Sequence, residues 1–290
     1  MILQPAKTGR ARHGYDPPML SSWRALLLGA VAAAIAAATG FLPPMPQPEA
    51  YHAFAETRRV LGIPHFNDVV SNLAFVAVGI LGLAWLLRHR RRLRLFFVHP
   101  VESLPYAVVF TAIVLVGIGS AYYHWEPSHP RLYWDRLAMT LAFMAIFAAI
   151  LAERIDYRVG LIALPVLVLL GMVAATHWLF SELDGAGDLR LYLLAQIVPL
   201  VFGALLIRLY RSPYSRGGDF VAAGGWYLLA LVAQTLDQPI HALTGGWLSG
   251  HTLKHLLAAV AVYWILRMLR LREIQGERQA ARGTAGPTGP

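Results

Sequence analysis

The sequence predicts an all-α fold: a polytopic membrane helical bundle with a seven-helix core and one additional N-terminal transmembrane helix. Three observations predict it. The 290 residues are 57% hydrophobic and only 14% charged, with a mean hydropathy of +0.52, outside the balance of a water-soluble globular domain. Apolar stretches of about 20 residues, the length that crosses a hydrocarbon core, recur from Trp23 almost to the C-terminus. Arginine, finally, gathers in alternate connections between those stretches, the signature of a chain threaded back and forth through a bilayer.

The spans fall near 22–42, 68–87, 104–123, 134–153, 159–179, 189–209, 219–237 and 251–270. The first, "SWRALLLGAVAAAIAAATGFLPP", follows a basic leader and is rich in Ala, so it also resembles a signal peptide; its apolar length favours an anchor. A tail over 1–21 precedes it. The connection 43–64 opens with the Pro-rich "PPMPQPEA" and reads as a stiff linker. The seven-helix domain then occupies 65–272, and 273–290, with "GERQAARGTAGPTGP", reads as a disordered tail. No internal repeat is visible.

Charge places the two sides. Arg88, Arg90, Arg91, Arg92 and Arg94 follow the second span, Arg154 and Arg158 the fourth, Arg208, Arg211 and Arg216 the sixth, and Arg267, Arg270 and Arg272 the eighth; Lys7, Arg10, Arg12 and Arg24 precede or open the first. These ends are therefore expected to be cytoplasmic, both termini among them. Topology thus accounts for the net charge of +9, and no nucleic-acid partner is expected. There is no Cys, which excludes disulfides, thiolate metal sites and cysteine nucleophiles together. An uncleaved, Cys-free, Arg-rich chain of this kind suits a bacterial inner membrane.

The polar residues of the core gather at the opposite, non-cytoplasmic ends. Asp68, Ser71 and Asn72 open core helix one in "HFNDVVSNLAF"; Ser120 and His124 close helix two; Asp135 opens helix three; His177 closes helix four; Asp237 and His241 close helix six; His251 and His255 open helix seven in "GHTLKHLL". Ionisable residues in spans are costly and usually functional. Ser120 and His124 are four residues apart, as are His251 and His255, so each pair shares a helix face. Three imidazoles with a water in the fourth position make a catalytic zinc site, whereas Mg or Ca would want carboxylates. Each element also has a plain reading. The His pairs and Ser71/Asn72 serve equally as interhelical hydrogen-bonding groups, Asp135 with Arg136 as an interfacial ion pair, His177, Asp237 and His241 as groups at helix ends, and His129, between Pro127 and Pro130, as a solvated loop residue.

"SAYYH", "WDRLAMT" and "HTLKH" resemble the Ser-xxx-His, Asp and His-xxx-His motifs of the alkaline ceramidase family. Its wider superfamily of seven-helix membrane hydrolases also holds the adiponectin and progestin-type receptors and the Per1-like lipid remodelling proteins. "FNDVVSNLAF" is similar to the family's first-helix motif, and the resemblance covers residues 65 to 270. It implies Zn2+ on His124, His251 and His255, Ser120 and Asp135 as catalytic residues beside the metal site, and Asp68, Ser71 and Asn72 as structural or supporting members. It also implies a lipid substrate drawn from the bilayer, with an amide bond to cut; no protein partner is expected. An acyl chain would lie among Phe75, Phe110, Phe143, Met144, Leu257 and Trp264. The extra first span departs from the family plan. So does the stretch before Asp68, where Glu56 stands without the family's acidic cluster, so no calcium site is expected. Two other classes compete for the same residues: a receptor-like lipid-binding protein with zinc but without turnover, and a transporter using Asp68, Asp135, His177, Asp237 and His241 as a path. Haem ligation ranks below these, for want of facing His pairs at matching depth.

Overall fold

The computed structural model describes residues 22–275. The expected tail 1–21, with Lys7, Arg10 and Arg12, and all but the start of 273–290 lie outside the described residues. Helix α1 spans Ser22–Phe41, and a linker containing a one-turn helix, Glu49–His52, leads to the short α2 (Phe66–Val70) and to α3 (Leu73–His89). Then follow α4 (Ser103–Trp125), α5 (His129–Arg154), α6 (Tyr157–Leu183), α7 (Arg190–Leu209), α8 (Gly218–Thr235), α9 (Asp237–Leu243) and α10 (Gly250–Leu271). No strand occurs among the described residues, only isolated bridges. Helices are what such a sequence must form, because in lipid each backbone N–H and C=O has to be satisfied within its own segment.

Among the described residues, seven helical stretches are long and apolar enough to cross a membrane: Trp23–Phe41, Phe66–His89 (α2 and α3 together), Pro100–Trp125, His129–Arg154, Tyr157–Leu183, Arg190–Leu209 and Gly250–Leu271. The eighth expected span, near 219–237, is broken. Helices α8 and α9 meet at Leu236 with a bend of 79°. Pro239 supplies a reason, since its ring would strike the carbonyl four residues back, that of Thr235, where α8 ends.

Burial ranks the helices. The central windows of α4 and α5 are 56% and 61% buried, against 28% for α6 and none of α1, so α4 and α5 form the middle of the bundle and α1 lies outside it against α7. Helix α10 packs on α8 and α3. Small residues allow the closest crossings. A Cβ on Gly119 would sit 2.8 Å from the Trp134 carbonyl oxygen, so α4 and α5 touch backbone to backbone one residue before Ser120 and one before Asp135. Gly250 does the same for α10 against the α8/α9 break, where a Cβ would lie 2.7 Å from the Asp237 Cα.

The end of the bundle opposite the histidines differs from expectation. The core's polar residues are expected at the histidine end, yet Glu102, Glu153, Arg154 and Arg272 are buried at this one. Arg272 pairs with Glu153, donates from Nε to the Phe96 carbonyl at 2.9 Å, and lies against the rings of Phe97 and Tyr214 at 4.2 and 4.0 Å. Tyr106 donates to Glu153 at 2.5 Å and Tyr214 to Glu102 at 2.6 Å. A helix terminus that brings glutamate and arginine together can bury both, which composition along single spans does not reveal. The six residues expected along an acyl tunnel are also dispersed. Phe110, Phe75 and Met144 belong to three different packed clusters, and Trp264 packs at the edge of the first.

Candidate metal centre

Helices α4 and α10 bring three imidazoles together at one end of the bundle. His124, near the end of α4, and His251 and His255, in the first two turns of α10, are all buried, and each offers a ring nitrogen within 4.8 Å of the others. Ring centroids are 4.7 Å apart for His124 and His251, 5.1 Å for His124 and His255, and 4.8 Å for His251 and His255. The helical spacing puts His251 and His255 on one face, and the close crossing at Gly250 holds that face inward.

The hydrogen bonding around the rings is uneven in an informative way. Ser71 meets His255 Nδ1 at 2.8 Å, while His255 Nε2 has no partner. Neither ring nitrogen of the fully buried His124 has one. Buried polar atoms left unpaired are costly, and here their lone pairs belong to a cluster of neutral nitrogen donors of the kind a divalent zinc-class ion takes. The residues present therefore fit a metal. His251 differs: the Lys254 ammonium donates to its Nε2 at 2.9 Å. Lys254 lies within electrostatic reach of all three histidines and of Asp135.

The remaining expected residues take definite places. The Ser120 hydroxyl, one turn before His124, stands beside the buried Asp135 carboxylate, close enough to act on its charge. Asp68 Oδ1 accepts from Ser249 at 3.0 Å and Thr252 at 2.5 Å, which ties α2 to the start of α10; its Oδ2 is buried without a partner. Asn72 donates to the Asp68 carbonyl at 2.7 Å, a local support within the first core helix. Arg136 is no simple partner of Asp135, because its guanidinium lies 3.9 Å over Trp178 and 4.5 Å over Tyr192 and donates to Gln47. His177 is exposed on α6 and stands apart from the cluster. Asp237 belongs beside it: Oδ1 accepts the His251 backbone N–H at 2.8 Å and Oδ2 that of Ala55 at 2.9 Å.

Sequence reasoning missed Lys254 and the linker. Lys254 lies inside "HTLKH", where attention to the i,i+4 pair passed over it. The linker folds over the centre. Phe54 is buried with its ring 4.6 Å from those of both His124 and His251. His65 Nδ1 meets the Glu56 carbonyl at 2.5 Å. Burial pushes the Glu56 carboxyl up, but hydrogen bonds from Arg58 outweigh it and hold it below the usual glutamate range. Farther out, burial and the neighbouring His129 keep the His52 imidazole below its ordinary value. An aromatic residue following a Pro-rich run was the only signal that this segment packs inward.

A family model described as ceramidase matches residues 63–215, more than half of the chain. The chain belongs to the ceramidase family. The match contains Asp68, Ser71, Asn72, Ser120, His124 and Asp135, and the fold adds His251 and His255 from beyond it. A search of the curated proteins finds no match. Family and fold together support a ceramidase-like, amide-hydrolysing enzyme built as a multi-pass membrane protein.

Proposed function

We propose that this ceramidase-family chain is a zinc-dependent amidase that cuts N-acyl sphingolipids or closely related N-acyl lipids. One observation carries the reading: three buried imidazoles, with three of their ring nitrogens unpaired, converge at one end of the bundle, where Ser120 and Asp135 are buried as well. His124, His251 and His255 would hold the ion, which supplies a Lewis acid for the amide carbonyl and acidifies a water. Asp135 takes the proton that water loses as its oxygen bonds to the carbonyl carbon. It returns that proton to the nitrogen as the C–N bond breaks, leaving a fatty acid and an amine. Ser120, one turn before His124, has a single O–H that can turn toward the carbonyl oxygen as it gains charge. An ion held through Nε2 of His251 would displace the Lys254 ammonium from it.

The arginine distribution supports a periplasmic position for this centre in a bacterial inner membrane, with both termini cytoplasmic. The deciding experiment measures metal content and hydrolysis of N-acyl lipids by the detergent-purified protein beside His251→Ala and Asp135→Asn. Zinc and turnover lost together in His251→Ala, with zinc kept and turnover lost in Asp135→Asn, are the expected results. A metal-free His251→Ala that still hydrolyses its substrate would overturn the assignment. Retained zinc and bound lipid with no product at all would indicate a receptor-like protein.

A further inference from the structure

We propose a second divalent-cation site, for an ion of the zinc class, on Glu49, His52 and His129, whose ion fastens the linker over the His124/His251/His255 centre. These three residues come from the one-turn helix of the linker and from the first residue of α5, and their ligand atoms lie within 4.8 Å of one another. His52 Nε2 and His129 Nδ1 face each other at 2.8 Å, and Glu49 Oε1 stands 3.9 Å from the same His129 nitrogen.

The far nitrogen of His52 is engaged as those of metal-bound histidines are, and that of His129 faces a carboxylate. His52 Nδ1 meets the Tyr123 hydroxyl at 2.8 Å. His129 Nε2 faces Glu182 Oε2 at 3.9 Å, and the other oxygen of that carboxylate accepts from Trp178 Nε1 at 3.0 Å and from the Gln47 N–H at 2.6 Å. The hydroxyl on the remote nitrogen fixes the His52 ring with its near nitrogen toward His129, and an ion would replace the proton that the two near nitrogens share. Two imidazoles and one carboxylate are a zinc-type donor set, unlike the all-oxygen set of calcium or magnesium, and the exposure of Glu49 leaves room for water as a further ligand.

The site would be particular to this chain's linker, since Glu49 and His52 precede the residues of the family match. Its position gives it work to do. Phe54, two residues after His52, is the ring that covers His124 and His251, so an ion joining His52 to α5 anchors that cover. A chain of neutral hydrogen bonds from Tyr123 through His52 to His129 satisfies the same atoms without an ion, and this is the rival the experiment must separate.

The test is zinc stoichiometry by elemental analysis, with a cobalt titration read in the visible, on the full chain and on Glu49→Gln, His52→Gln, His251→Ala and the His52→Gln/His251→Ala pair. Two ions are expected in the natural chain, one in His52→Gln, one in His251→Ala and none in the pair. Glu49→Gln alters only an exposed side chain and should weaken the second ion at least about tenfold. A natural chain that saturates at one ion, kept in His52→Gln, would overturn the proposal in favour of the hydrogen-bond chain. Equal stoichiometry in the natural chain and His52→Gln would overturn it as well. A single ion that survives His251→Ala and is lost in His52→Gln would uphold the linker site while refuting the triad as the zinc centre.

Discussion

Ser71 holds Nδ1 of His255 at 2.8 Å and thereby turns the unpartnered Nε2 toward His124 and His251. Groups that orient a metal-binding ring typically matter about 10–100-fold in metal affinity. Ser71→Ala is accordingly expected to weaken zinc by about that factor, read by competition with a chelator, while the helix stays intact because the hydroxyl's other bond is only a local one to the Asp68 carbonyl. Undiminished affinity would make Ser71 an ordinary interhelical contact, the plain reading the sequence also allowed. Lys254 works in the other sense, since its ammonium holds Nε2 of His251 and sets a positive charge beside the triad. The i,i+4 rule found the histidines because helical periodicity is a backbone property. It looked only at four-residue spacings and so passed over Lys254, which stands three residues after His251 on the same face of α10.

At the scale of elements, the crossing of α4 and α5 sets the distance between Ser120 and Asp135. Gly119 permits that crossing, because a Cβ there would meet the Trp134 carbonyl oxygen at 2.8 Å and its carbon at 2.9 Å, both backbone atoms that cannot swing aside. In Gly119→Ala the two helices must part or shift. The expected result is a lower melting temperature, corresponding to about 1–3 kcal/mol of overpacking, offset by about 1 kcal/mol of gained helix propensity. Hydrolysis should fall more than zinc content, because His124 lies a turn beyond the contact while Ser120 adjoins it. Long apolar runs made seven of the spans legible before any coordinates, and the i,i+4 pairs made the triad legible too. The broken α8/α9 span was less so. Asp237 closes that apolar stretch and Pro239 lies just past it, and a proline alone does not announce a break, since Pro165 and Pro199 sit inside the continuous helices α6 and α7. The linker was least legible of all, since its Pro-rich composition describes a free chain and says nothing of Phe54 finding two histidine rings.

Across the whole molecule, polar groups occupy both ends and an apolar layer separates them. Phe75, Val109, Ile113, Val116, Ala138, Ala145 and Ala259 pack between the triad and the Glu102/Glu153/Arg272 cluster. A proton or ion path would need ionisable groups through that layer, so the architecture favours one reactive end and one structural end over a transporter. The two ends should then separate under mutation. Arg272→Met leaves Glu153 as a buried carboxylate without its cation, a change that typically costs about 3–5 kcal/mol. The melting temperature should fall sharply while zinc per folded chain stays at the natural value. Replacing both partners, as in Glu153→Leu/Arg272→Met, should recover much of the loss, because exchanging a buried ion pair for apolar packing is often close to neutral. If Arg272→Met instead stripped zinc from a chain that remained folded, the two ends would be coupled through the apolar layer. The division between a structural end and a chemical end would then have to be abandoned.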